Sequence, residues 1–187
     1  MYDFIDQKRI VYITFAVILF ISALFAPVAF FYPIKTMFIT PDALAIGTSS
    51  MSLLTGGIGL ALMAGGLIVL AMLEQRLKKY GFAFALFVSG IIALSFSLTD
   101  YYYITADGFV YNAPLSITSE KYGWTDFEKV EERIVKENGM TKIDSFSFHL
   151  KNGTVIDMPA GAILTMSGSI INNVQASGGV HERITEE

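Results

Sequence analysis

Residues 10–32, IVYITFAVILFISALFAPVAFFY, form a run of 23 residues without a charge. A helix rises about 1.5 Å per residue, so this run reaches roughly 35 Å, enough to cross a hydrocarbon core of about 30 Å. Two further apolar runs follow before residue 100: 52–73, SLLTGGIGLALMAGGLIVLAML, and 81–99, GFAFALFVSGIIALSFSLT. Apolar residues resume near Ala43, but 43–73 is too short for two spans of about 20 residues with a turn between them. Three spans are expected, with the Pro- and Ser-containing stretch 33–51 as the loop before the second. Residues 1–99 are thus read as a transmembrane three-helix bundle, and any aqueous chemistry falls to the last 88 residues.

The two parts differ in charge. Residues 1–99 carry Lys8, Arg9, Lys35, Arg76, Lys78 and Lys79 against Asp3, Asp6, Asp42 and Glu74, a net of +2. Residues 100–187 carry seven Lys or Arg against thirteen Asp or Glu, a net of −6. An acidic domain repels nucleic acid and anionic headgroups, which argues against both as partners. The chain contains no cysteine, so disulfides, thiolate metal sites and cysteine nucleophiles are excluded, while the compartment stays open.

Short loops rich in Lys and Arg favour the cytoplasmic side. The connection EQRLKKYG holds Arg76, Lys78 and Lys79, whereas the loop between the first two spans holds only Lys35. This predicts a multi-pass cell-membrane protein with a cytoplasmic N-terminus and an extracytoplasmic C-terminal domain. Small residues at Ala23, Ala26 and Ala29 would also suit a cleaved signal peptide, but the apolar stretch far exceeds a signal's core of about 7 to 15 residues.

Within the spans, small residues recur at every fourth position: Gly57, Ala61 and Gly65 in the second, and Gly81, Ala85, Ser89, Ala93 and Ser97 in the third. Such stripes let helix backbones approach closely, so the second and third spans are expected to pack through them. The alternative is that Gly and Ala are simply common in membrane helices. No Asp, Glu, Lys, Arg or His falls inside these three runs, which disfavours a transporter acting alone.

The acidic half reads as strands closed by a helix. YYYIT at 101–105 is aromatic and β-branched, and Ala106, Asp107 and Gly108 supply a turn before FVYN. SFSFHL at 145–150 alternates with period two, and Asn152-Gly153 makes a hairpin turn before TVIDM. KVEERIVKENG fits a helix through Val130, Arg133 and Ile134 and a strand through Val130, Glu132 and Ile134; we read it as a strand. AILTMSGSIINNVQA, 162–176, places Ile163, Leu164, Ile170, Ile171 and Val174 at helical spacings, and residues 179–187 read as a polar tail.

These segments resemble the bacterial pleckstrin-homology-like (PH-like) domains of small membrane proteins. The correspondence runs through Thr105 and Gly108, then Tyr122, Trp124, Asp126, Phe127 and Val130, then Phe148, Leu150, Gly153 and Ile156. Over residues 100–178 the resemblance implies a bent, partly open antiparallel sheet capped by a helix and used to bind proteins or lipids. The acidic charge and the outer location depart from lipid-binding members, which use basic loops.

No catalytic constellation emerges. His149 and His181 lack a third ligand at useful spacing, so no metal or cofactor is expected. Glu128, Glu131, Glu132 and Glu137 stand among Lys129, Arg133 and Lys136 and read as a solvated charged face. Trp124 reads as corner packing, and Asn152-Gly153-Thr154 fits a glycosylation sequon that coincides with the hairpin turn. The expectation is a non-enzymatic membrane protein presenting a PH-like interaction domain, bound to an envelope protein or to a second copy. The alternatives are an accessory or immunity-like subunit of a transporter or pore, or a lipid-binding module.

Overall fold

The computed structural model describes residues 7–39, 43–137 and 140–186. It divides into two compact units.

The first unit is helical and contains three helices long and apolar enough to cross a membrane: Gln7–Met37, Ser50–Met72 and Arg76–Thr99. The first begins as α1 (Gln7–Ala26), passes through a π-helical turn (Pro27–Phe31) and a single turn α2 (Tyr32–Ile34), and ends in a second π-helical turn (Lys35–Ile39). Pro27 has no N–H to give to the Ala23 carbonyl, which accounts for the widened register at that point. That carbonyl faces Gly57, where a Cβ would come within 3.0 Å of it. Two longer helices follow, α3 (Ser50–Met72) and α4 (Arg76–Thr99), joined antiparallel through residues 73–75.

The seam between α3 and α4 is built from small residues at seven-residue intervals. Ser52, Gly59 and Gly66 are buried on α3, and Ala83, Gly90 and Ser97 on α4. At the central crossing, a Cβ on Gly59 would stand 2.9 Å from the Gly90 carbonyl, and one on Gly90 2.8 Å from the Gly59 carbonyl. This corrects the four-residue stripes. Gly81, Ala85 and Ser89 are exposed, Ala93 is half-buried, and only Ser97 of that set lies in the seam. In α3, Gly57 faces α1, while Ala61 and Gly65 are half-buried. The reason is angular: at about 100° per residue, a step of four drifts about 40° around the helix, whereas a step of seven drifts only about 20°.

The second unit consists of two four-stranded sheets and a helix. One sheet has the order β1 (Ala45–Gly47), β2 (Tyr101–Ile104), β3 (Gly108–Asn112), β4 (Glu120–Gly123), all antiparallel. The other has the order β7 (Val155–Pro159), β6 (Met140–Leu150), β5 (Phe127–Glu137), β8 (Val180–Glu186). Strand β1 comes from the loop between the first two spans. Its register is Ala45↔Ile104, Ile46↔Tyr103 and Gly47↔Tyr102, and the Tyr102 ring lies so close over Gly47 that a Cβ would sit 2.1 Å from it.

The expected strand over KVEERIVKENG is present as β5, although Asn138 and Gly139 lie outside the described residues. Between the Arg133↔Ser145 and Ile134↔Ile143 pairs, Asp144 has no opposite number. Its carbonyl instead accepts the Ala160 N–H at 2.9 Å, a bulge that bends the strand. The closing segment is a 3-10 turn, Gly161–Met166, followed by α5 (Ser167–Ala176). Its Ile163, Ile170 and Val174 enter a core with Phe109, Phe127, Val130, Phe146, Phe148 and Ile156, while Ile171 is half-buried. The expected polar tail is corrected: Val180–Glu186 forms β8, parallel to β5 from Lys129↔Val180 to Val135↔Glu186.

Candidate functional site

Lys35 lies inside the helical unit, 1% exposed. Its ammonium donates to Ser52 Oγ on α3 at 2.7 Å and to the Asp100 carbonyl, just past α4, at 2.7 Å. Ser52 Oγ donates onward to the Ser97 carbonyl at 2.7 Å, and Ser97 Oγ donates to the Ser52 carbonyl at 2.7 Å. All three long apolar helices thus meet in one hydrogen-bonded cluster. A cation suits this position because the last carbonyls of a helix lack intrahelical donors and carry partial negative charge. The sequence reading placed Lys35 in a loop after Pro33 and the spans free of Asp, Glu, Lys, Arg and His. The first apolar helix runs on to Met37, so Lys35 lies in a helix and not in a loop.

In the β-unit, Glu131 and Glu132 are adjacent on β5 and, as strand neighbours, point to opposite faces. Glu131 is 7% exposed on the outer face, in ion-pair contact with Lys129, with His149 Nε2 at 3.2 Å. Lys129 also reaches Glu182 on β8 at 3.1 Å. These cross-strand side chains lie over one another, so Glu131 is covered although it sits near the surface of the unit. The Lys129 ammonium bonded to it holds its carboxyl below the ordinary carboxylate range, with His149 adding to the effect against the opposing pull of burial. Lys129 is raised in turn, by Glu131 first and Glu182 second.

Glu132, 3% exposed on the core-facing side, accepts from Arg183 Nε at 2.8 Å and lies 2.8 Å from Arg183 Nη2 and 3.2 Å from His181 Nε2. These contacts fasten β8 to β5. Of the four glutamates expected on a solvated face, Glu128 and Glu137 are exposed, whereas Glu131 and Glu132 are buried and paired. The missing signal was β8: without it, no sequence spacing brings His181 or Arg183 to Glu132. Among the described residues no group of three or more His, Cys, Asp or Glu could hold a metal ion.

The PH-like pattern residues assemble into a corner. Thr105 N and Oγ1 both donate to the Gly108 carbonyl, at 2.9 and 3.2 Å, and a Cβ on Gly108 would lie 2.2 Å from the Tyr122 carbonyl. Trp124 Nε1 donates to the Ala106 carbonyl at 2.9 Å, tying the β2–β3 turn to the 3-10 turn before β5. Its ring lies 5.9 Å from that of Phe127, and Asp126 Oδ2 accepts the Gly123 N–H at 2.8 Å. Phe127 and Val130 are fully buried, and Gly153 takes φ +86° in the β6–β7 turn.

Beside this corner is a pocket of about 260 Å³ lined by Tyr122, Asp126, Leu150, Lys151 and Asn152. Partial burial, with a hydrogen bond from its hydroxyl to Glu120, pushes the Tyr122 phenol up to about 12, so it stays neutral. The buried carboxylates Glu131 and Glu132 are both paired to cations. No protein-family model, no curated protein and no solved structure matches this chain.

Proposed function

We propose that this is an integral membrane protein holding a PH-like interaction domain on the extracytoplasmic side, and that the domain binds an envelope protein. The β1–β2 ladder carries this reading. It joins the loop before α3 to the segment after α4, so both must lie on one side of the membrane, while Arg76, Lys78 and Lys79 favour the cytoplasm for the opposite end. Two antiparallel runs, β1 to β4 and β5 to β7, followed by α5, suit the PH-like pattern; the parallel β8 is an addition to it.

A protein partner is favoured over a headgroup because the domain is acidic and its sheet ends on an open edge, β8, with Val180 and Ile184 exposed. An edge strand offers backbone groups to an added strand. The test uses the full chain in nanodiscs with a photo-crosslinker at Val180 or Ile184 and a control at Asn152. One membrane or envelope protein should crosslink from the first two positions only. Val180→Lys with Ile184→Lys should lower capture about tenfold, since edge charges oppose strand pairing. Unchanged capture, or salt-sensitive adhesion to anionic vesicles without a protein partner, would refute the reading.

A further inference from the structure

Beyond Asp100, the β3–β4 connection is the one part of the acidic half that groups with the long apolar helices: Pro114–Ile117 falls in the first compact unit. No charged residue stands between Asp107 and Glu120, a stretch reading GFVYNAPLSITS. At its apex Leu115 is 56% and Ile117 78% exposed. Isolated exposed apolar side chains are ordinary on a water-facing surface. Here two stand two residues apart on an uncharged loop belonging to the unit whose remaining exposed apolar surface is that of spanning helices. Leu115 also holds φ at +62°, which only one non-glycine among the described residues does.

We propose that this loop is a second membrane contact, with Leu115 and Ile117 entering the boundary between headgroups and acyl chains of the leaflet on the domain's side. The occupant of this surface is bilayer lipid. The loop groups with helices whose apolar side chains are exposed, and it has no charge that would resist leaving water. Attraction is apolar, so it does not depend on anionic lipid or on salt, in keeping with a domain of net −6. The proposal stands apart from the identity of any protein partner.

The absence of cysteine makes the test direct. Full-length Ile117→Cys carries an environment-sensitive fluorophore in phosphatidylcholine vesicles, beside Asn152→Cys as control. The label at 117 should emit to the blue of that at 152 and be quenched by lipids brominated high on the acyl chain, at low and high salt alike. Adding Ile117→Asp to a label at Leu115→Cys should return that label to a water-like emission. Water-like emission with full access to aqueous quencher at 117 would overturn the proposal. So would a blue shift that grows with protein density in the vesicle, which would mean that a second copy covers the loop.

Discussion

Gly90→Leu should unfold the helical unit far more readily than Ser89→Leu, although the two substitutions are neighbours and add similar bulk. At Gly90 the new Cβ would stand 2.8 Å from the Gly59 carbonyl and 2.7 Å from Met63 Cγ. The methionine tip can move aside; the carbonyl is fixed in α3. The helices must separate, losing the dispersion contacts that hold membrane helices together where no hydrophobic force acts between them. The expected cost is about 3 kcal/mol, at the top of the usual overpacking range. Gly59→Leu should match it, since the contact is reciprocal. Ser89 is exposed, so its substitution should stay within about 0.5 kcal/mol. Reversible unfolding in bicelles makes the comparison, and equal losses at 89 and 90 would dismiss the seven-residue seam.

The second large effect concerns Lys35. Ser52→Ala removes one of the two acceptors that hold the buried ammonium, and the donor to the Ser97 carbonyl with it. Hydrogen bonds to charged groups contribute about 1.5–3 kcal/mol, and an under-solvated buried charge makes their loss costly. Ser52→Ala should therefore destabilise by about 3 kcal/mol in the same bicelle assay. Lys35→Met, of similar length and without charge, removes the need for those acceptors and should cost less. The double variant Lys35→Met with Ser52→Ala should accordingly be more stable than Ser52→Ala alone, a coupling that simple addition of the two losses forbids. Additive losses would show that the cluster is not organised around the charge.

The three long apolar helices were legible because a long uncharged run has little alternative to a helix in lipid. Their packing was not. The third span offers small residues at both four- and seven-residue spacing, sharing only Ser97, and periodicity within one helix does not say which neighbour it meets. Pro33 read as the start of a loop, yet α2 carries it at the start of a turn and the helix continues to Lys35. In the β-unit, hairpins with strong turn chemistry, such as Asn152-Gly153, were readable locally. Strands β1 and β8 were not, because three residues in a loop and a charged terminal segment become strands only through partners distant in sequence, Tyr102–Ile104 and Lys129–Val135. The buried roles of Glu131 and Glu132 followed from that pairing, so they too lay beyond local pattern.

The central claim is that the β-unit, its β1 strand included, stands outside the cell while the α3–α4 connection faces the cytoplasm. Three single-cysteine variants of this cysteine-free chain, Leu44→Cys, Asn152→Cys and Tyr80→Cys, can be exposed in intact cells to a thiol reagent that does not cross membranes. All three native side chains are exposed, so access from the aqueous side decides the outcome. Labelling at 44 and 152, with 80 reacting only after permeabilisation, is the result predicted. Labelling at 80 in intact cells with 44 and 152 protected would contradict the account.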